Sequence, residues 1–260
     1  MGRASFSSRY GPWAVVAGAS EGLGAAFAAA LAARGVNLVL LARRADRLEA
    51  VAAPLRSRVD VRAAAFDLAR ADLADALAAL IADIEVGLGV FNAAFAPVGE
   101  VVDRPVEDLE RVAQLNVRGP VVFARTLAPA MVARGRGGIV LMSSLAGLQG
   151  APRIATYAGS KAFNIVFGEG LWAELQPRGV DVLVSCAGAV RTPGYAAAAS
   201  GDAPGTLDAD VVAERTLAAL GKGPVVTPGA TNGLARFAMT RLLPRRAAIG
   251  VMARSTKDLS

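Results

Sequence analysis

Short apolar runs alternate along this chain with longer segments whose apolar positions recur at helical spacing. The runs Trp13 to Ala17, Asn37 to Ala42, Asp60 to Phe66, Gly89 to Asn92, Gly138 to Ser143, Val180 to Cys186 and Pro224 to Thr227 are flanked by turn-forming or charged residues. That pattern is expected of strands covered on both faces. Between them, Ala25 to Arg34, Asp46 to Pro54, Ala71 to Ile84, Val106 to Arg134, Tyr157 to Gln176, Ala209 to Leu220 and Thr231 to Leu243 read as helices. The alternation predicts a parallel, doubly wound α/β sheet of about seven strands, with helices on both faces and right-handed crossovers. No internal repeat and no linker interrupts it, so one domain is expected over residues 1–260. The Ala/Gly/Pro-rich stretch that begins at Pro193 has no period. It is read as a lid, over about 193–207, that is mobile until ligand binds.

Composition narrows the function classes. A chain of 260 residues supports one large α/β domain with a substantial core. No stretch offers the roughly 18 apolar residues of a spanning helix. The first apolar run leads straight into a glycine turn, as a strand does and a signal peptide does not. The one cysteine, Cys186, allows no intramolecular disulfide. The absence of histidine excludes a Ser-His-Asp triad and the usual histidine metal sites. A cytoplasmic enzyme without a metal is the expectation. The net charge is +6, and the tail over about 231–260 carries Arg236, Arg241, Arg245, Arg246 and Arg254 among Leu234, Phe237, Leu242, Leu243, Ile249, Val251 and Met252. A final helix packed on the domain is preferred here to a membrane-surface helix, and no nucleic-acid motif accompanies the charge.

The candidate chemistry is concentrated in two places. In Tyr157-Ala158-Gly159-Ser160-Lys161 a phenol and an ammonium lie four residues apart, on one face of a helix, after the pair Ser143-Ser144. A cation ~4 Å from a phenol, at an effective dielectric of ~20, favours the phenolate by ~4 kcal/mol, or roughly three pKa units. Tyr157 is thus the candidate general acid–base, with its pKa expected to fall. Far upstream, the strand ending at Ala17 runs into Gly18-Ala19-Ser20-Glu21-Gly22-Leu23-Gly24 and then an Ala-rich helix. Strand, glycine turn and helix together receive a pyrophosphate on backbone N–H groups.

These residues together resemble the short-chain dehydrogenase/reductase family, over about Tyr10 to Gly229. The family's Thr-Gly-x-x-x-Gly-x-Gly turn is matched by Ala17, Gly18, Gly22 and Gly24, its Asn-Asn-Ala-Gly by Phe91-Asn92-Ala93-Ala94, and its helical active-site Asn by Asn116. The family's spacing of serine to tyrosine selects Ser144 over Ser143. The resemblance implies a Rossmann-type fold and the catalytic set Asn116, Ser144, Tyr157 and Lys161. It also implies a nicotinamide dinucleotide held by Gly18, Ser20, Glu21, Gly22, Leu23, Gly24, Arg43, Asp67, Leu68, Asn92, Ala93, Ala94, Tyr157, Lys161, Gly188, Val190 and Thr192. In relatives Asp67 meets the adenine, Val190 and Thr192 meet the carboxamide, and the matched lysine holds the ribose and lowers the tyrosine pKa. The matched asparagine is expected to anchor a water that re-protonates the relay.

The second strand favours NADP(H) over NAD(H). It opens into Arg43-Arg44 with no acid before Asp46, and an Arg there pairs with a 2′-phosphate through charge-assisted bonds. Glu21, where many NADP-preferring relatives carry a base, argues the other way. Ala17, Phe91 and Ala94 depart from the family's pattern without removing a catalytic group. The resemblance further implies a homodimer or homotetramer paired through the helices 106–134 and 157–176, and a small carbonyl or alcohol substrate. Leu145, Leu148, Ile154, Val190 and Tyr195 suggest that this substrate is apolar. Against this reductase reading stand two others: a non-catalytic NADP-binding sensor, and a membrane-peripheral reductase of lipid-like 3-oxoacyl or steroid ketones.

Overall fold

Seven parallel strands make one sheet: β1 (Trp13–Ala17), β2 (Asn37–Ala42), β3 (Val61–Ala65), β4 (Val86–Phe91), β5 (Gly137–Ser144), β6 (Val180–Ala187) and β7 (Val225–Val226), in the order β3-β2-β1-β4-β5-β6-β7. The computed structural model describes residues 3–198, 201–257 and 259, with side chains from Phe6 onward. The chain winds outward from β1 to β3, returns past β1, and winds the other way from β4. The strand order therefore reverses between β1 and β4, and a crevice opens outside their carboxyl ends. In register, Ala17 lies beside Leu41 and Phe91, and Ser144 lies beside Ala187. Gly18, Asn92 and Ser144 thus come to one edge of the sheet although they are far apart in sequence.

Both faces are covered, as the apolar runs require. One face packs Phe27 and Leu31 of α2 (Gly22–Ala32) and Val212 and Leu217 of α7 (Ala209–Ala219) onto Leu38, Leu40 and Val140. The other packs Leu73 and Leu77 of α4 (Leu73–Leu80), Phe123, Leu127 and Met131 of α5 (residues 106–134), and Leu175 of α6 (Ala155–Leu175) onto Val15, Leu41 and Ile139. α3 (Ala45–Leu55) links β2 to β3 and packs Leu48 and Ala52 on the first of these faces.

Four features differ from the sequence expectation. The segment 106–134 is helical throughout but is not one α-helix: α5 comprises Val106–Val112, a π-turn over Ala113–Arg118, and Gly119–Arg134. Pro120 supplies the reason. It has no N–H, and that N–H would close the α-helical bond to the carbonyl of Asn116 four residues earlier. The ladder widens there, and such a π-bulge often marks a functional position.

The second difference is α1 (Arg3–Tyr10), which the polar sequence Arg-Ala-Ser-Phe-Ser-Ser-Arg-Tyr did not signal. It is held from outside itself. Phe6 and Tyr10 enter the core, and the Tyr10 hydroxyl and Arg9 Nε both donate to Asp181 of β6 at 2.7 Å.

The third is the lid, which has structure within it. Pro193–Ala198 is a short helix, and Val190–Arg191 pairs with Leu207–Asp208 as a two-residue ladder. The Tyr195 hydroxyl donates to the Gly201 carbonyl and accepts from Ala203 N–H, both at 3.0 Å, while Arg191 grips Asp202 and Asp208 at 2.7 Å. Ala199 and Ser200 lie outside the described residues.

The fourth is the tail. Residues 230–242 form α8 (Ala230–Phe237) and a π-turn (Ala238–Leu242), and α9 (Arg245–Thr256) follows. α9 packs on the domain. Ala248 and Thr256 are buried, and Met252 lies against the cluster of Ala146, Ala151, Ile154 and Ala158.

Candidate active site and dinucleotide groove

A groove of about 460 Å³ runs along the carboxyl edge at the reversal point. Its walls include Gly18, Ser20, Glu21, Gly22 and Leu23 from the glycine turn, Arg43 after β2, Asp67 and Leu68 after β3, and Asn92, Ala93 and Ala94 after β4. Thr192 closes it from the lid side. Ala42, Arg44, Phe66, Leu115 and Gly194 also line it, and these were not singled out from the sequence. Gly188 lies outside the lining, packed against the Asn232 amide, and Val190 lies in the two-residue ladder.

Glycine is required at the turn because the backbone leaves no room for a Cβ. A Cβ on Gly24 would fall 1.9 Å from the Gly18 carbonyl oxygen. Gly18 has φ +84°, and a Cβ there would meet Ala93 main-chain atoms at 2.7 Å. Gly22 has φ +53° and leaves room for the Thr192 side chain. The turn is tied across the sheet. The Ala17 carbonyl accepts from Asn92 N–H at 3.0 Å and Ala93 N–H at 2.9 Å, and Asn92 Nδ2 donates to the Gly18 carbonyl at 3.0 Å. Backbone bonds do here what a threonine hydroxyl would do at position 17. Phe91, the other departure, packs edge-on against Phe123 at 5.4 Å and fills the space left by Gly119.

The end of the groove beside β2 is positive. Glu21 is occupied by Arg44 at 2.8 Å and Arg47 at 2.6 Å, and these guanidinium bonds outweigh its desolvation and hold its carboxyl below the ordinary range. Arg43 is exposed, lines the groove, and has no ion-pair partner among the described residues. Arg43, Arg44 and Arg47 outnumber the carboxylates Glu21 and Asp67, the second of which also feels Arg43, and this makes the end suited to a phosphate monoester. Asp67 accepts from Ala69 N–H at 3.0 Å and pairs loosely with Arg111 at 3.2 Å, so it stabilises its own turn as well as lining the groove. A dinucleotide therefore fits: a glycine cradle for a pyrophosphate leads to a cationic end for the ribose.

Tyr157 and Lys161 project from the first turns of α6, and Ser144 ends β5. The Ser144 hydroxyl lies near enough to the Tyr157 phenol to lower its pKa and accepts from Ala146 N–H at 3.2 Å, while Ser143 points the other way and donates to the Lys161 carbonyl at 2.7 Å. The two serines are thus separated by the strand's alternation into one that faces the site and one that anchors α6.

The Lys161 ammonium is almost fully buried. It donates to the Met142 carbonyl at 2.9 Å and lies 5.5 Å from the Tyr157 ring centroid. Burial brings its pKa down to about 8. Burial also raises the Tyr157 phenol, and the nearby Ser144 hydroxyl opposes that rise. This reverses the expected fall of the phenol pKa. The cation is directed to a carbonyl and is itself weakened by desolvation, so removal from water dominates.

Asn116 is fully buried and its amide is engaged. Oδ1 accepts from Phe95 N–H at 2.8 Å, and Nδ2 donates to the Phe95 carbonyl at 2.8 Å and to Ser160 Oγ at 3.0 Å. Ser160 in turn donates to the Tyr157 carbonyl at 2.7 Å. Asn116 therefore joins the loop after β4 to the start of α6. Ser160 and Phe95 were missed in the sequence; Ser160 sits one helical turn from Tyr157, but nothing local shows that it faces Asn116. Beside the tyrosine, Ile154 packs with Val98 and Tyr157, while Leu145 and Leu148 are half-buried in the turn that follows β5.

A profile of the short chain dehydrogenase family matches residues 12–202, so the chain belongs to that family, whose members are oxidoreductases of C=O and CH–OH groups. A very-long-chain 3-oxoacyl-CoA reductase of Podospora anserina is 39% identical over 180 residues, which are 66% of this chain and 53% of that protein. One from Neurospora crassa is 37% identical over 184 residues, 66% of this chain and 54% of its own length. The chain thus spans about half the length of the curated relatives it matches. Among solved structures, a 7beta-hydroxysteroid dehydrogenase superposes with a TM-score of 0.88 at 25% identity, covering 95% of this chain and 98% of that one. A short-chain dehydrogenase from Sphingobium yanoikuyae in complex with NADPH gives 0.79 at 31% identity, covering 93% and 95%.

Proposed function

We propose that this protein is an NADP(H)-dependent reductase that interconverts an apolar ketone and its secondary alcohol, with Tyr157 as the proton donor. The observation that carries the reading is Tyr157 beside Ser144 at the carboxyl edge of the sheet, with the buried Lys161 ammonium 5.5 Å from its ring. A carbonyl oxygen placed there accepts from both hydroxyls. A phenol kept protonated by burial is a ready proton source for the developing alkoxide. When bound, the nicotinamide supplies the hydride. Lys161, with a pKa of about 8, is poised to replace the proton that Tyr157 gives up. Asn116 fixes Tyr157 through Ser160, and its main-chain carbonyl, which lacks an α-helical donor because of Pro120, is where a relaying water is proposed to sit.

NADP(H) is favoured over NAD(H) by unpaired Arg43 and by the neutralisation of Glu21. The NADPH complex of the Sphingobium neighbour supports the same choice. A lipid-like 3-oxoacyl thioester is the substrate class favoured by the apolar Ile154 and Val98 beside Tyr157 and by the relatives' names. We further propose a homodimer through α5 and α6, where an apolar groove of about 630 Å³ lies between Ala124, Ala128, Phe167 and Leu171. The deciding experiment is NADPH oxidation against ketones, aldehydes and 3-oxoacyl thioesters. Tyr157→Phe should cut turnover by about three orders of magnitude or more while NADPH binding persists. Near-normal turnover in that variant refutes the mechanism, and NADPH binding without turnover on any carbonyl would favour a sensor.

A further inference from the structure

The charge of this protein is unevenly placed. Residues 215–257 hold eight of its 28 Lys and Arg and none of its 22 Asp and Glu, so this segment carries +8 and the rest of the chain −2. No cation in it has a carboxylate partner among the described residues. Within it, residues 240–247 are exposed without a break and form the tip between the helical segments 230–242 and 245–256. Large apolar side chains are exposed on and beside that tip: Leu234 at 69%, Phe237 at 54%, Leu242 at 66% and Leu243 at 38%. Leu234 and Phe237 are three apart on α8, and Leu242 follows after one wide π-turn, which returns it to the same side. Arg241 and Arg246 flank these residues.

We infer that this tip docks on an anionic lipid surface. Charge and apolarity together select that occupant. A second copy meeting this surface across a two-fold axis would set like charge against like. A nucleic acid would leave four large apolar side chains facing phosphates. A bilayer with acidic headgroups takes both: arginines at the headgroups, and leucine and phenylalanine at the acyl boundary. Among the described residues no helix is long and apolar enough to cross a membrane, so the contact lies on the surface. The tip is anchored to the rest of the molecule by Arg245, which donates to the Leu148 carbonyl at 2.9 Å, and by Met252 against the Ile154 cluster.

The inference does not rest on the reductase reading, because vesicle binding is measured without substrate. The test is co-sedimentation of the full chain with phosphatidylcholine vesicles, with and without phosphatidylserine, at low and raised salt. The wild type should pellet with the phosphatidylserine vesicles and be released by salt. Arg241→Glu/Arg246→Glu and Phe237→Ser/Leu242→Ser should each weaken binding about tenfold or more, with melting temperature and NADPH affinity unchanged. No pelleting of the wild type at low salt overturns the inference. So does unaltered vesicle binding by the variants, with or without a drop in oligomer size by light scattering; a drop would assign the patch to a second copy.

Discussion

Burying Lys161 beside Tyr157 should cost stability in a way that pH exposes. The ordinary pKa of 10.5 falls to about 8 in the fold. Between those values the unfolded chain binds more protons than the native one, so native stability rises with pH across that window. The linkage integral makes the penalty about 3 kcal/mol at pH 7 and about 1 kcal/mol at pH 10. Lys161→Met keeps the volume and removes the charge. Its loss of the bond to the Met142 carbonyl is independent of pH and cancels when two pH values are compared. The stability of the wild type relative to Lys161→Met should therefore improve by about 2 kcal/mol between pH 7 and pH 10. Urea unfolding of both proteins across this range measures it, and the same variant should lose turnover. Parallel curves, with a difference that does not change from pH 7 to 10, would show that Lys161 is not desolvated in the native protein. The placement of its ammonium against Met142 would then be wrong.

Three other outcomes follow from the groove and the helical faces. Arg43→Asp should weaken NADP binding by about 30-fold or more, equivalent to one lost charge-assisted bond of about 2 kcal/mol, and shift preference toward NAD; a wild type that already prefers NAD in kcat/KM contradicts the assignment. Gly24→Ala drives a Cβ into the Gly18 carbonyl, so dinucleotide affinity by titration should fall at least about tenfold, with a melting temperature lowered by a few degrees; unchanged affinity would mean the turn is not the cradle. Phe167→Glu places a charge in the α5–α6 groove and should give a monomer by light scattering at micromolar concentration, whereas a wild type already monomeric there would remove the proposed dimer.

The central strands could be located from the chain alone because each is a run of apolar residues buried on both faces, whereas the edge strands β3 and β7 are only half-buried. β1 and β2 have the bounds the pattern predicts, β5 extends one residue further at each end and β6 at one end, and β4 starts three residues earlier, at Val86. The glycine turn and Tyr157-x-x-x-Lys161 were equally legible, since each is local: a turn that excludes Cβ atoms, and one helical face. What local pattern could not supply was direction and environment. The sign of the Tyr157 shift depends on where the Lys161 ammonium points and how far both groups lie from water, and these are set by the packing of α6 on β5. The fate of Glu21 depended on Arg44 and Arg47 folding back across the groove. Arg3–Tyr10 is helical because Asp181, 171 residues beyond Tyr10, receives its tyrosine. The lid looked structureless because its anchors, the Tyr195 hydroxyl and the Arg191 fork, are side-chain contacts. A periodicity reports which face of an element is buried, whereas only the assembled structure decides what that face meets.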